Sequence, residues 1–183
     1  AVWLPNGPAW LQLLFAAAEL GVLVVPISTR YKAPEVKHLL TVSRAKAIVT
    51  PREFLGTAYA EIARSMLPEV VTLSQVLEVT DVGALLPWDG QPVPPRGGDA
   101  LLCCFSTSGT TGMPKLATHG EASIARHAHC VARALAIGPQ SSVLCVLPLF
   151  GVFGFMTVLA AFAGGAACVL RQVFETEDAA DAI

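Results

Sequence analysis

No charged residue occurs between Arg133 and Arg171. Inside that interval, the run from Val143 to Leu170 is long enough to cross a bilayer by length alone. Such a run has two folding solutions. It spans a membrane, or it forms the buried centre of a parallel sheet, whose strands are covered on both faces and read as continuous apolar segments. Pro148, Gly151, Gly154, Gly164 and Gly165 interrupt the run and disfavour one long helix. It divides into a β-branched and Leu-rich strand (Val143 to Leu147), a loop, an Ala-rich helix and a second strand (Ala166 to Leu170). The expectation is sheet core, with no transmembrane segment. A membrane-associated protein using 143–170 is the rival reading.

The chain before it has the same grammar. Leu11, Leu14, Phe15 and Ala18 fall at helical spacing, with Gln12 and Glu19 opposite and Gly21 as the stop. Val22 to Ile27 reads as a buried strand. Pro34 marks a first helical turn, and Val36, Leu39 and Leu40 form its apolar stripe. Ala45 to Val49 reads as the next strand. Thr50-Pro51-Arg52-Glu53 reads as a capping box opening a helix through Leu55, Ala58, Tyr59, Ile62 and Met66. Val70 to Leu73 reads as a third strand. Alternating strands and helices predict an α/β fold, parallel-sheet layers with crossover helices. Pro87 to Asp99, rich in Pro and Gly, is the linker candidate. It divides the chain into a first α/β subdomain (1–86), the linker (87–99), and a second, incomplete α/β unit (100–183). In that unit a helix is expected from about His119 to Leu135, and Thr176-Glu177-Asp178 starts another.

Charge excludes some functions. The net charge is −2, from 12 basic and 14 acidic residues, which leaves no electrostatic footprint for nucleic acid. Cys103, Cys104, Cys130, Cys145 and Cys168 show no C-x-x-C spacing and read as small buried hydrophobes in a reducing, cytoplasmic setting. No signal peptide is recognisable. His127 and His129 lie two apart on an expected helix and diverge, so no protein-held metal site is expected. No G-x-S-x-G pattern supports hydrolase chemistry.

The chemistry concentrates in Ser106-Thr107-Ser108-Gly109-Thr110-Thr111-Gly112-Met113-Pro114-Lys115, which follows the apolar strand 100–105. Glycines let backbone approach a ligand, and successive N–H groups in such turns form an anion-binding concavity. The hydroxyls of Thr107, Ser108, Thr110 and Thr111 can donate to phosphate oxygens, and Lys115 adds a mobile positive charge. The common P-loop ends in Gly-Lys-Ser/Thr, whereas Met113 and Pro114 here separate Gly112 from Lys115. Composition alone leaves a polar linker between strands as the plain alternative.

The string Thr107 to Lys115 closely resembles the phosphate-binding signature of the adenylate-forming superfamily, which includes acyl-CoA synthetases, luciferase-like enzymes and the adenylation domains of peptide synthetases. Asn6-Gly7-Pro8-Ala9-Trp10 through Leu20-Gly21, Val24-Val25-Pro26, Ala45 to Thr50, and Leu147 to Gly154 resemble its flanking segments. The resemblance runs from about Leu4 to Leu170 and is nearest to acyl-CoA synthetases. It implies a two-step ligase. A carboxylate attacks the α-phosphate of ATP, and a thiol, usually that of coenzyme A, then takes the acyl group. On this reading Thr107, Ser108, Gly109, Thr110, Thr111, Gly112 and Lys115 bind the ATP phosphates, with Lys115 and Thr110 as catalytic residues. Magnesium arrives with ATP. Phe150, Gly151 and Val152 border the acyl pocket.

Two departures matter. Gly151 stands where many acyl-CoA synthetases carry histidine. No aspartate occurs between Arg133 and Arg171 to pair a substrate ammonium, so an acyl or aryl carboxylate suits the wall better. The family's later motifs, including Tyr-Gly-x-Thr-Glu and a C-terminal domain with a catalytic lysine, do not occur. The resemblance therefore implies part of an N-terminal domain, inactive by itself. A non-catalytic nucleotide-binding α/β module stays open, as does a homodimer.

Overall fold

Pro8 sits in the first turn of α1 (Pro8–Leu20), where its missing N–H costs no hydrogen bond, and Gly21 closes the helix. In the computed structural model, residues 1–85, 100–107 and 113–181 are described. Ala9, Trp10, Leu11 and Leu14 form the buried face of α1. Phe15, expected inside, is 45% exposed and lies beside the half-exposed ring of Phe162. The second helix, α2 (Ala33–Ser43), buries Val36, Leu39 and Leu40 as the stripe predicted. The Lys32 N–H donates to the Glu35 carboxylate at its start.

Next come β1 (Ala47–Pro51), α3 (Tyr59–Ser65) and β2 (Gln75–Val79), with β1 and β2 paired in parallel. Three expectations need correction here. Pro51 ends a strand instead of opening a helix. A turn with Leu55 and Gly56 at positive φ (48° and 73°) then delays the helix to Tyr59. Val70 and Leu73 are buried beside a turn beneath α3, and the strand starts two residues later. Burial of an apolar pair did not require a strand. The segment 22–27 makes isolated parallel bridges, not a regular strand, and Pro26 has no N–H to extend a ladder. Those bridges still matter. Val2 pairs with both Val49 and Pro26, and Val24 pairs with Cys103, so short parallel segments connect β1 to the strand that carries the Ser/Thr/Gly motif.

That strand is β3 (Leu101–Thr107), and it turns back antiparallel into β4 (Lys115–Gly120), which the sequence reading did not anticipate. Next is α4 (Glu121–Ala134), close to the expected helix. The uncharged run folds as anticipated, into β5 (Ser142–Cys145), α5 (Val152–Ala163) and β6 (Ala167–Leu170), with β5 and β6 parallel. A short α6 (Thr176–Asp181) follows. No helix among the described residues is long and apolar enough to cross a membrane.

Two buried clusters organise these elements. One joins Leu4, Trp10 and Leu14 with Cys103 and Phe105 of β3, Ile124 of α4, and Leu149 and Phe155 around α5. The other gathers Trp3, Ile27 and the α2 stripe with Ile48, Tyr59, Met66 and Leu73. The expected linker 87–99 lies outside the described residues. Packing runs across it, since the first cluster draws on residues from both sides. Cys103, Cys104 and Cys145 are buried as expected, whereas Cys168 is half-buried and Cys130 is exposed on α4.

Candidate functional site

The described ends of the Ser/Thr/Gly motif lie on the β3–β4 hairpin, Ser106 and Thr107 closing β3 and Lys115 opening β4. The hairpin's root is deep: Cys103, Cys104 and Phe105 are at most 2% exposed. The Phe105 ring meets Phe155 edge-on at 5.1 Å, and Phe155 meets Trp10 at 6.0 Å, tying the hairpin to α5 and α1. On the other side, Leu116 of β4 packs on the second cluster. The described legs of the hairpin are thus wedged between both cores.

The register places Thr107 directly opposite Lys115. Directly opposed residues of an antiparallel pair project from the same face. Both are exposed, and the Thr107 hydroxyl donates to the Lys115 carbonyl at 3.4 Å. Two of the expected phosphate-binding residues therefore flank the loop that joins them. Ser108, Gly109, Thr110, Thr111 and Gly112 lie outside the described residues. Among the described residues Lys115 forms no ion pair; the two salt bridges are Lys37 with Glu69 and Arg64 with Glu78.

Two side chains outside the motif touch the hairpin legs. The Tyr31 hydroxyl lies 3.2 Å from the Ser106 hydroxyl, and His38 Nε2 lies 3.0 Å from the Pro114 carbonyl. A carbonyl only accepts, so Nε2 carries the proton in this contact. The sequence reading missed both residues. The available signal was faint: two polar aromatics seven residues apart beside the α2 stripe.

Phe150 lines a cavity of about 510 Å³ with Thr29, Arg30, Tyr59, Leu147 and Phe174. The cavity lies beyond the ends of β5 and β6, where open α/β sheets place ligands. Gly151 and Val152 are not among its walls. Gly151 is the N-cap of α5, and Val152 is its half-exposed first residue. The segment that presents Phe150 is fixed from afar by Asn6, which is only 4% exposed. Asn6 Nδ2 donates to the carbonyls of Leu147 and Arg171, both at 3.0 Å, and Oδ1 accepts from the Leu149 N–H at 2.8 Å. Two carbonyls on one side and one N–H on the other fix which way the amide points. Gly154 permits the close approach of α5: a Cβ there would sit 2.4 Å from the Pro148 oxygen and 2.5 Å from that of Leu147.

No thiol at the hairpin root offers a nucleophile. Burial, reinforced by neighbouring Cys104, pushes the Cys103 thiol up to about 12, and burial also raises Cys104. Across β5 and β6, Cys145 and Cys168 sulfurs lie 3.6 Å apart. The hydrogen bond between them raises Cys145, whose burial adds to the rise, and lowers Cys168. His119 lies edge-on to Phe105 at 5.7 Å. No group of three potential metal-ligating side chains occurs among the described residues.

The profile of the AMP-binding enzyme family matches residues 1–183. The chain belongs to that family. It is 30% identical to the long-chain-fatty-acid–CoA ligase FadD13 of Mycobacterium tuberculosis, over 96% of this chain and 35% of that protein. It is 32% identical to the indoleacetate–CoA ligase of Aromatoleum aromaticum, over 97% of this chain and 36% of the relative. The fold matches the inhibitor-bound N-terminal domain of FACL13 from M. tuberculosis with a TM-score of 0.78 at 25% identity, covering 97% of this chain and 45% of that one. The chain spans about a third of the length of these curated relatives.

Proposed function

We propose that these residues belong to an AMP-forming acid–thiol ligase. It activates a carboxylic acid with ATP to an acyl-adenylate and passes the acyl group to a thiol, coenzyme A. The observation that carries the reading is the hairpin register, with Thr107 and Lys115 side by side at the root of a loop rich in hydroxyls and glycine. Family membership and relatives named as CoA ligases support it.

In this reading the loop residues Thr107, Ser108, Thr110 and Thr111 donate hydrogen bonds to the β- and γ-phosphates, and Gly109 and Gly112 let the backbone approach them. The Lys115 ammonium, which has no carboxylate partner among the described residues, neutralises charge that builds on the departing pyrophosphate. Magnesium comes bound to ATP, held by phosphate oxygens and water. The cavity beside Phe150 takes the acyl or aryl group, since its walls are mainly apolar. The substrates are water-soluble nucleotide and thiol, which fits a cytoplasmic enzyme of fatty-acid or aryl-acid metabolism.

The test is ATP–pyrophosphate exchange by the complete protein across a panel of carboxylates. Lys115→Ala should slow exchange by about 10²-fold, the scale of losing one preorganised donor to a developing charge. Unchanged exchange in the variant would remove the loop's assigned role. Tight nucleotide binding with no exchange in the wild-type protein would identify a non-catalytic nucleotide-binding module instead.

A further inference from the structure

The register sets Thr107 beside Lys115 but does not explain what aims the legs that carry them. Hairpin legs joined only to each other pivot about their root. Here each leg has one polar side-chain contact from the same outside body, at Ser106 on the first and at Pro114 on the second. Ser106 is two residues before Ser108, and Pro114 is two residues after Gly112. Tyr31 meets the first leg and His38 meets the second.

The body that supplies these contacts is rigid on independent grounds. Val36, Leu39 and Leu40 of α2 have no exposure at all. The turn before the helix is tied by four hydrogen bonds. The Ser28 carbonyl accepts from both Trp3 Nε1 (2.9 Å) and the Tyr31 N–H (3.1 Å). The Ser28 hydroxyl accepts from the Arg30 N–H at 3.2 Å. The Tyr59 hydroxyl donates to the Thr29 carbonyl at 2.8 Å. The same turn also gives Thr29 and Arg30 to the cavity beside Phe150. One rigid segment, residues 28–40, therefore borders the cavity and holds both legs of the phosphate loop.

We infer that Tyr31 and His38 are positioning residues that aim the phosphate-loop hairpin at the cavity. This rests on the ligase reading above. They touch no reacting atom; they fix where Thr107 and Lys115 stand relative to the carboxylate. A loop with its legs released must be ordered by ATP itself, so the loss falls on nucleotide use and not on carboxylate binding.

The experiment compares Tyr31→Phe, His38→Leu and His38→Gln with Lys115→Ala in the complete protein. Pyrophosphate exchange is followed against ATP and against carboxylate, and thermal unfolding is measured in parallel. His38→Leu should raise the KM for ATP about tenfold, well within what misplacement by an ångström can cost, and leave the KM for carboxylate and the Tm unchanged. Tyr31→Phe, losing one neutral hydrogen bond, should raise the KM for ATP roughly threefold. His38→Gln keeps an N–H donor for the Pro114 carbonyl and should return within about twofold of wild type. Wild-type KM for ATP in both His38→Leu and Tyr31→Phe, with Lys115→Ala impaired, overturns the positioning role and leaves the ligase reading standing. A His38→Leu variant that loses Tm and shifts both KM values together also overturns it, because that pattern is general destabilisation. Normal exchange in Lys115→Ala removes the ligase reading itself.

Discussion

Residues 147–154 and the legs of the β3–β4 hairpin border the same end of the molecule and are held by different physics. The first segment is embedded. Asn6, more than 140 residues away in sequence, satisfies two of its backbone groups and the Arg171 carbonyl in a buried setting, and Gly154 lets α5 pack against the Leu147 and Pro148 carbonyls at a distance no side chain would allow. The hairpin is anchored by Cys103, Cys104 and Phe105 and by Leu116 on the second cluster, and its legs are steadied at Ser106 and Pro114 by Tyr31 and His38, both half-buried. The embedded segment suits a pocket wall, which must keep its shape. On the ligase reading, a hairpin whose outer legs are held through two polar contacts suits a loop that meets a polyphosphate and lets pyrophosphate leave. If the contrast is real, damage to the first segment shows in stability and damage to the second shows in nucleotide kinetics.

The largest stability effect should come from Asn6→Ala. It leaves two carbonyls and one N–H without their partner in a site that is 4% exposed, and should cost about 3 kcal/mol. Urea unfolding monitored by tryptophan fluorescence checks it; Trp3 and Trp10 are both buried reporters. A loss below about 0.5 kcal/mol, the range of an ordinary surface change, would mean the segment is not held from Asn6. Gly154→Ala comes next. Helix propensity favours the change by nearly 1 kcal/mol, but the new methyl would overlap two backbone oxygens. Overpacking of this kind costs ~1–3 kcal/mol, so the net loss should be about 1 kcal/mol. An equal or higher Tm would show that α5 can move away freely, and the embedded character of the segment would be gone.

The parts of this architecture that were legible in sequence are those written in local periodicity. The stripes of α1 and α2, the span of α4, and the β5–α5–β6 unit all follow from apolar spacing within a few turns. Apolar content without period misled at Val70 and Leu73, which are buried beside a turn, and the helical period itself misled at Phe15, which lies at the edge of the α1 stripe and faces outward beside Phe162. At Pro51 a good local helix start was overridden by parallel pairing with β2, which carries β1 through to that residue. The motif itself could be read at once, because it is contiguous. Its supports could not. Tyr31 and Ser106 are 75 residues apart, His38 and Pro114 are 76, and Asn6 reaches across 165 residues to Arg171. No spacing rule encodes a contact of that span, and only the fold brings these groups together.

The smallest effect, and the sharpest comparison with Gly154, is expected from Gly151→His. The two glycines are three residues apart, one at the N-cap of α5 and one in its first turn. At Gly151 the backbone has φ −103° and ψ 145°, extended geometry open to any residue. Among the described residues a Cβ there would meet only the Pro148 oxygen, at an ordinary 3.5 Å. The imidazole can therefore project from the helix start without moving the backbone, and the change in stability should stay within about 0.5 kcal/mol. On the ligase reading any kinetic effect belongs to the carboxylate, since residue 151 adjoins Phe150 on the cavity wall while the hairpin and its two supports are untouched. Exchange kinetics should then show an altered KM for carboxylate with the KM for ATP preserved, the mirror image of His38→Leu. A Gly151→His protein as destabilised as Gly154→Ala would mean that the whole turn into α5 is close-packed. A shift in the KM for ATP instead would mean that wall and hairpin are one mechanical unit, and the distinction between them would fail.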